Sequence, residues 1–290
     1  MMKKIKARAL SLLADGTVRR VLGWEKGETE HDWTPALFET DAEMANFVYG
    51  KYAGANLSKY CLKTGRMEGR TLVILKPCDT LSFRQLLHEH RVERDSFYIL
   101  GVGCTGMQDD NGLLIKCAAC KGKEFAVYDE MIDTEESRQP TGTQDRMEEV
   151  ETLEKMTAEE RFAFWQGELC RCIRCNACRN VCPACTCIKC VFDNPDSGVQ
   201  SKAPVTDFEE NMFHIIRAYH VAGRCTDCGE CSRVCPQHIP LHLLNRKFIK
   251  DMNELYGEYQ AGLGDEERTP LTTYKTEDAE PGIIGERGRG

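Results

Sequence analysis

The chain of 290 residues lacks any run of about 18 apolar residues, the length that an α-helix needs to cross a bilayer. The N-terminal stretch also lacks the apolar core of a secretory signal peptide, because Arg8 and Asp15 interrupt it. Positive charge is in deficit as well: the formal net charge is −8, which excludes a general affinity for nucleic acid or for anionic membranes. We therefore expect a cytoplasmic protein without a membrane span.

The usual signatures of nucleotide binding and of hydrolysis are missing too. No Gly-x-Gly-x-x-Gly occurs at a strand–helix junction, and no Gly-x4-Gly-Lys loop is present. The partial match at Gly101, Gly103 and Gly106 is better explained by close approach of the backbone to a bound group. No Ser–His–Asp set, zinc-protease helix or pair of carboxylates stands out. The sequence thus predicts no catalytic residue.

Cysteine, by contrast, is abundant: the chain has 17, and eight of them form two copies of one pattern. Each copy reads Cys-x2-Cys-x2-Cys-x3-Cys-Pro, the run by which bacterial two-cluster ferredoxins hold two 4Fe–4S clusters. Three cysteines of a copy bind one cluster and the fourth binds the other. The predicted ligand sets are Cys172, Cys175, Cys178 and Cys235 for cluster 1, and Cys225, Cys228, Cys231 and Cys182 for cluster 2. Zinc sites are the alternative, but zinc has no use for the third cysteine or the Cys-Pro step.

A second group of cysteines accompanies a predicted βαβ unit. Residues 71–75 and 97–102 are apolar runs typical of buried strands, and a helix between them makes such strands parallel. Ligands in parallel sheets bind beyond the carboxyl ends of the strands. Cysteines follow both strands there, so we predict a third 4Fe–4S cluster held by Cys78, Cys104, Cys117 and Cys120. Separate buried thiols are the alternative.

A third group surrounds the first ferredoxin pattern. Three cysteines within six positions are hard to explain by packing alone, and one more precedes the pattern. We take these four as candidates for a fourth cluster, with Cys61 as a substitute for one of them: Cys170, Cys185, Cys187 and Cys190. Their spacing fits no standard ligand motif, so a reactive thiol pair or reversible redox cysteines stay open as alternatives.

The remaining sequence predicts how the chain is divided. We expect an α/β domain with a small parallel sheet, an acidic linker, an α-helical ferredoxin-like dicluster domain and a flexible tail, at residues 1–132, 133–156, 157–258 and 259–290. Helices are expected to begin at capping boxes at Thr157 and Asp207, and at Pro240. A further helix is expected over residues 41–52.

Parts of both predicted domains resemble a known family. Lys76-Pro77-Cys78-Asp79, the segment 99–106 and Cys117-Ala118-Ala119-Cys120 resemble the beta subunit of coenzyme-deazaflavin-reducing hydrogenases and dehydrogenases. Related modules occur in sulfhydrogenases and anaerobic sulfite reductases. The cysteines from Cys172 to Cys190 resemble those of a subgroup fused to a C-terminal dicluster ferredoxin. The resemblance covers roughly residues 15–255. It implies a 4Fe–4S cluster at the α/β cysteines and, in many members, FAD, although this chain lacks the glycine-rich segments of the flavin-bearing members.

These features together predict an iron–sulfur electron-transfer subunit of an anaerobic multi-subunit oxidoreductase complex. Its partner would be a hydrogenase, a formate dehydrogenase, a heterodisulfide-reductase-like unit or another reductase, with soluble ferredoxin as a further candidate. The alternative is a flavin-containing subunit that itself oxidises or reduces deazaflavin, NAD(P)H or ferredoxin. Arginines beside the ferredoxin patterns either raise cluster potentials by offsetting cluster charge or serve as surface charges: Arg171, Arg174, Arg179, Arg224 and Arg233.

Overall fold

The computed structural model describes residues 1–194 and 208–264, and its N-terminal part alternates helices with strands. The elements of this part are α1 (Met2–Ala14), β1 (Arg20–Lys26), β2 (Trp33–Phe38), β3 (Phe47–Val48), α2 (Ser58–Thr64), β4 (Thr71–Leu75), α3 (Pro77–His88), β5 (Phe97–Val102), β6 (Gln108–Asp109), β7 (Gly112–Leu113), α4 (Ile115–Ala118) and β8 (Glu130–Ile132). All five residues of β4 are buried, as its apolar, β-branched sequence predicts.

The main sheet runs in the order β2-β1-β4-β5-β8, and β3 adds to β1. Neighbours among β1, β4, β5 and β8 are parallel, whereas β2 and β3 pair with β1 in the antiparallel sense. β4 pairs with β5 over its full length, from Thr71 opposite Phe97 to Leu75 opposite Gly101. Helix α3 supplies the crossover between them. The expected α/β class with a small parallel sheet is confirmed.

The cysteines that follow β4 and β5 lie at the carboxyl edge of this sheet. Helix α3 begins at Pro77. Proline suits the first helical position, because the N–H that it lacks would have no helical partner there. Cys78 therefore lies in the first turn of α3 and not in a loop. Cys104 comes two residues after the end of β5.

The helix expected over residues 41–52 was wrong. A single 3₁₀ turn, Glu43–Asn46, is followed at once by β3, which pairs with β1. Tertiary packing overrides the local pattern here, because the ring of Phe47 stacks edge-on against that of Phe38 at 5.9 Å. The Glu43 carboxylate also accepts the backbone N–H of Glu39 at 2.6 Å, which closes a tight turn.

The C-terminal part is helical. Its elements are α5 (Glu148–Glu154), α6 (Ala158–Leu169), α7 (Ala177–Val181), α8 (Phe208–Tyr219), α9 (Glu230–Arg233) and α10 (Leu241–Tyr256). The capping box at Thr157 is confirmed: its hydroxyl accepts the N–H of Glu160, and the Glu160 carboxylate accepts the N–H of Thr157. Helix α10 begins directly after Pro240, as expected. The capping box expected at Asp207 lies outside the described residues.

Two further segments have described contacts. Within 133–156, helix α5 packs Val150 and Leu153 against Leu243 of α10. Near the C-terminus, the N–H of Gly262 donates to Gln85 Oε1 at 3.0 Å, while residues 265–290 lie outside the described part. None of the helices in residues 1–194 and 208–264 is long and apolar enough to cross a membrane.

A buried carboxylate joins the helical part to the α/β part. Glu230 is fully buried and accepts Lys116 Nζ on Oε1 at 2.6 Å and Arg233 on Oε2 at 2.7 Å. The backbone N–H of Asn56 donates to Oε2 at 3.3 Å. Burial raises the pKa of Glu230, but the charges of Lys116 and Arg233 outweigh it and hold that pKa at about 2. The carboxylate is therefore ionised at neutral pH and holds α9 against the α/β domain.

Replacing Glu230 by Gln is expected to destabilise the protein by about 3 kcal/mol, since it leaves Lys116 with a buried charge and no carboxylate. The measurement is anaerobic denaturant unfolding of the cluster-loaded chain. Glu254→Gln is the matched control, because Glu254 pairs with Lys250 but is 58% exposed. Its free energy of unfolding should differ from that of the parent by no more than about 0.5 kcal/mol. Equal effects of the two substitutions would contradict the importance of the buried pair.

Candidate functional site

The two ferredoxin loops have the same backbone conformation. Two residues after the first cysteine of each loop, Arg174 and Asp227 have φ values of 55° and 52°. One residue after the second cysteine, Asn176 and Gly229 have φ values of 60° and 68°. This left-handed region is uncommon for residues other than glycine. In both loops it lets the N–H of Arg174 or Asp227 donate to the sulfur of the first cysteine at 3.4 Å.

The first predicted ligand set is brought together in the structure. One cavity is lined by all four of its members, Cys172, Cys175, Cys178 and Cys235. Phe213 and His214 of α8 form another wall of this cavity. Cys172 and Cys178 are buried, whereas Cys175 is exposed, so this set reaches the protein surface.

The second predicted set is also close-packed. Burial is the main cause that raises the pKa of Cys225, Cys228 and Cys231, and the negative charge of Cys182 adds to it in each case. This shared influence places Cys182 beside the three cysteines of the other loop. Asn245 Nδ2 also donates to Cys231 Sγ at 3.5 Å. The short helices α7 and α9, which follow the two loops, pack against each other.

The third predicted set meets at the carboxyl edge of the sheet. A second cavity is lined by all four of its members, Cys78, Cys104, Cys117 and Cys120. Asp227 and Cys228 of the second ferredoxin loop line the same cavity. The third set therefore adjoins the second.

Donors and positive charge surround the third set. The N–H of Gly106 donates to Cys104 Sγ, and that of Met107 to Cys117 Sγ, each at 3.3 Å. Three lysines line the cavity: Lys116, Lys121 and Lys123. A 4Fe–4S cluster with four thiolates is an anion whose sulfurs accept hydrogen bonds, so these surroundings fit one.

No three His, Cys, Asp or Glu side chains gather tightly enough to hold a single metal ion anywhere in the described part of the chain. A 4Fe–4S cluster does not require such a gathering, since it has four irons and takes one thiolate on each. Four cysteines around a cavity are the arrangement that it needs.

The fourth predicted group is only partly brought together. Cys185, Cys187 and Cys190 line a cavity of about 480 Å³ next to α7 and α8. Cys170 is not among the residues that line it, and its thiol donates to the carbonyl of Gly167. Cys61 is a core thiol of α2 whose pKa is raised by burial.

Arg217, which no sequence motif points to, lies on α8 between the two ferredoxin loops. It is 1% exposed, and none of its guanidinium nitrogens has a hydrogen-bond partner among the described residues. Burial lowers its pKa, but the charges of the neighbouring cysteines raise it more, chiefly Cys231, Cys178 and Cys182. Arg217 therefore places one positive charge beside cysteines of the first two predicted sets. No spacing rule connects it to the cysteine pattern, so the sequence alone gave no signal for it.

One helical turn earlier, His214 faces the first set. It is 1% exposed, and neither ring nitrogen has a partner within the described residues. Burial, with the charges of Arg217 and Arg174, lowers the pKa of His214 to about 3. The ring is therefore neutral and keeps one N–H to donate into the cavity of cluster 1.

The arginines that the sequence singled out have other partners. Four form ion pairs with carboxylates, and the fifth stacks on an aromatic ring. The pairs are Arg171–Glu168, Arg179–Asp193, Arg224–Glu89 and Arg233–Glu230, and the stack places Arg174 3.8 Å from the centre of the Phe213 ring. Carboxylates already offset the charge of four of them, whereas the guanidinium of Arg217 has no hydrogen-bond partner among the described residues.

Comparison with known proteins agrees with this geometry. Residues 168–239 match the 4Fe-4S dicluster domain family, so the helical part carries a ferredoxin-like dicluster domain. The chain is similar to the F420-dependent formate dehydrogenase subunit beta of Methanocaldococcus jannaschii, with 33% identity over 104 residues; the match covers 36% of this chain and only 24% of that protein. It is also similar to the F420-dependent formate dehydrogenase 1 subunit beta of Methanococcus maripaludis, with 22% identity over 351 aligned positions, 88% of this chain and 89% of that protein. These similarities support an iron–sulfur subunit.

Replacing Arg217 by Gln should lower the midpoint potentials of both ferredoxin-type clusters, because the reduced clusters carry more negative charge and lose the cation that offsets it. We expect a shift on the order of 59 mV, a tenfold change in a one-electron equilibrium. The measurement is potentiometric titration followed by EPR.

Two variants control this experiment. Arg217→Lys keeps the positive charge and should leave both midpoint potentials close to those of the parent. Arg171→Gln, at an exposed ion pair with Glu168, should leave both midpoint potentials unchanged. If Arg217→Gln behaves like Arg171→Gln, the buried guanidinium does not tune the clusters.

Proposed function

We propose that this chain is the iron–sulfur electron-transfer subunit of an anaerobic oxidoreductase complex. The observation that carries the proposal is the position of Cys228: it belongs to the second ligand set and also lines the cavity of the third. Each cluster, when bound, takes up and releases one electron. Cysteines of neighbouring sets that lie side by side give such electrons a continuous path through the chain.

The sets follow one another in the order third, second, first. Asp227 and Cys228 connect the α/β cavity to the second set. The first and second sets are close as well, since the negative charge of Cys178 in the first set raises the pKa of Cys231 in the second. The assigned ligands are Cys78, Cys104, Cys117 and Cys120, then Cys225, Cys228, Cys231 and Cys182, then Cys172, Cys175, Cys178 and Cys235.

The first set forms the end of the path that opens to the surface. Cys175 is exposed, and the neighbouring Ile173 is 55% exposed. An exposed apolar side chain beside a cluster ligand suits a contact surface, because a partner that covers it excludes water and shortens the path between redox groups. We place the docking of the partner at this end.

The two relatives indicate what that partner is. Both are named as beta subunits of F420-dependent formate dehydrogenases. We therefore propose that the chain works in the cytoplasm with a catalytic subunit of the formate dehydrogenase kind and passes electrons between it and a further acceptor. The chain's own residues bind and insulate the clusters and position the partner, and none of them acts on formate.

Flavin is the basis of a second candidate function. The dependence on F420, a deazaflavin, in the names of both relatives favours a subunit that itself exchanges electrons with a soluble carrier through bound FAD. Against it, the glycines at the carboxyl edge of β5 are packed against protein: a side chain at Gly103 would meet Ser137 Oγ, and one at Gly101 would meet the Phe125 ring. We therefore prefer the subunit without flavin.

The proposed path of electrons through three clusters, called the relay below, is tested by the iron and sulfide content of the chain. Cys120→Ser should lower iron and acid-labile sulfide by about four atoms each per chain and leave the ferredoxin-type EPR signals in place, because it removes a ligand of the third set only. Cys61→Ser, at a thiol outside all cavities described above, should leave the iron content unchanged. Unchanged iron in Cys120→Ser would contradict the third cluster, and one flavin per chain in the parent would favour the second candidate.

The partner is tested in the intact complex. The chain is tagged in its host and the complex is isolated anaerobically, after which formate is added. We expect formate to bleach the iron–sulfur absorbance of the complex and to have no effect on the chain alone. Bleaching by dithionite but not by formate would rule out a formate-oxidising partner.

A further inference from the structure

The cavity of about 480 Å³ beside α7 and α8 is not used by the relay described above. Three of its lining residues are Cys185, Cys187 and Cys190. These thiols differ in exposure: Cys187 is exposed and the other two are half-buried. The backbone N–H of Cys185 donates to the carbonyl of Cys182, a predicted ligand of the second set, at 3.1 Å, so the cavity lies directly next to that set.

Positive charge converges on the same cavity. Its lining includes Lys59, Arg179, Arg217 and Arg224. Arg179 and Arg224 are paired with carboxylates, whereas Arg217 is 1% exposed and has no hydrogen-bond partner among the described residues. A buried guanidinium without a partner is costly, so it indicates that an anionic group belongs beside it.

The ligand must account for both the thiols and the charge. A phosphate-bearing carrier would satisfy the cations but leave three cysteines without a role. An iron–sulfur cluster is an anion and takes thiolates as ligands, so it satisfies both. Among the residues that line the cavity, His220 offers a nitrogen donor, and its ring lies 6.1 Å from that of Phe192.

We propose that this cavity binds a fourth 4Fe–4S cluster through Cys185, Cys187 and Cys190, with His220 as the non-cysteine ligand. Cys170, which the sequence offered as the fourth ligand, has no part in the site. The cluster is held next to the second ligand set through the contact between Cys182 and Cys185. Arg217 is shared, since it lines this cavity together with Cys185 and also lies on α8 beside the first two ligand sets.

The test uses the full chain, purified anaerobically and reconstituted with iron and sulfide. We expect the parent to hold about 16 iron atoms and Cys187→Ser about 12, with the EPR signals of the other clusters unchanged. Cys170→Ser is the matched control, because it removes a cysteine from the same stretch that does not line the cavity; it should keep about 16. Pulsed EPR should detect nitrogen coupling in the parent that disappears in His220→Ala.

Several results would overturn the proposal. Iron content that is the same in Cys187→Ser and the parent would exclude the cluster, as would equal losses in Cys187→Ser and Cys170→Ser. Loss of one zinc in place of four irons would replace it by a zinc site. Nitrogen coupling that survives in His220→Ala would exclude His220 as the ligand. The parent could also hold only about 12 iron atoms, of which Cys120→Ser removes about four. That result would rule out the fourth cluster and leave the relay through the other three intact.

Discussion

Four thiolates around an anionic cluster can be buried only where positive charge and hydrogen-bond donors are buried with them. This requirement explains features that otherwise look unrelated. Arg174 and Asp227 adopt left-handed conformations so that their amides reach sulfur, and lysines such as Lys123 gather at the sheet edge. Arg217 stays buried without a hydrogen-bond partner in the described part of the chain because the sulfurs of two sets are its counter-charge. Buried cations reduce the free-energy cost of burying an anionic cluster, and we expect the same cations to raise the potential of a cluster beside them.

The distance between the clusters is a second constraint on the structure. Electron transfer between clusters needs them to be held near one another, and two domains joined by a single chain do not guarantee that. Glu230 solves it from inside the second loop, since it lies between the ligands Cys228 and Cys231 and pairs with Lys116 of the other domain. Lys116 in turn lines the cavity of the third set. One buried ion pair therefore holds the second and third sets of cysteines together and places a positive charge beside the third.

A feature of the fold or of the candidate site can be predicted from the sequence when residues close together along the chain determine it. The ferredoxin loops repeat at fixed spacing, and β4 and β5 are continuous buried runs, so the fold class and the first three groups of cysteines could be predicted. Arg217 could not, because α8 brings it to the cysteines through tertiary packing and no spacing relates the two. The strand at Phe47 was mistaken for helix for the same reason: a ring contact with Phe38 decides its conformation.

The glycine-rich turn after β5 separates an electron relay from a flavoenzyme on physical grounds. In a nucleotide-binding sheet such glycines let the backbone approach a pyrophosphate. In this chain the space beside Gly103 and Gly101 is filled by Ser137 and Phe125, and Gly106, at φ 98°, turns its N–H toward Cys104 Sγ. The turn is thus shaped by packing against the chain and by a cysteine sulfur. The carboxyl edge of the sheet, where this class of fold binds its ligand, is lined by four cysteines, and that favours the proposed electron-transfer subunit over one that binds a nucleotide of its own.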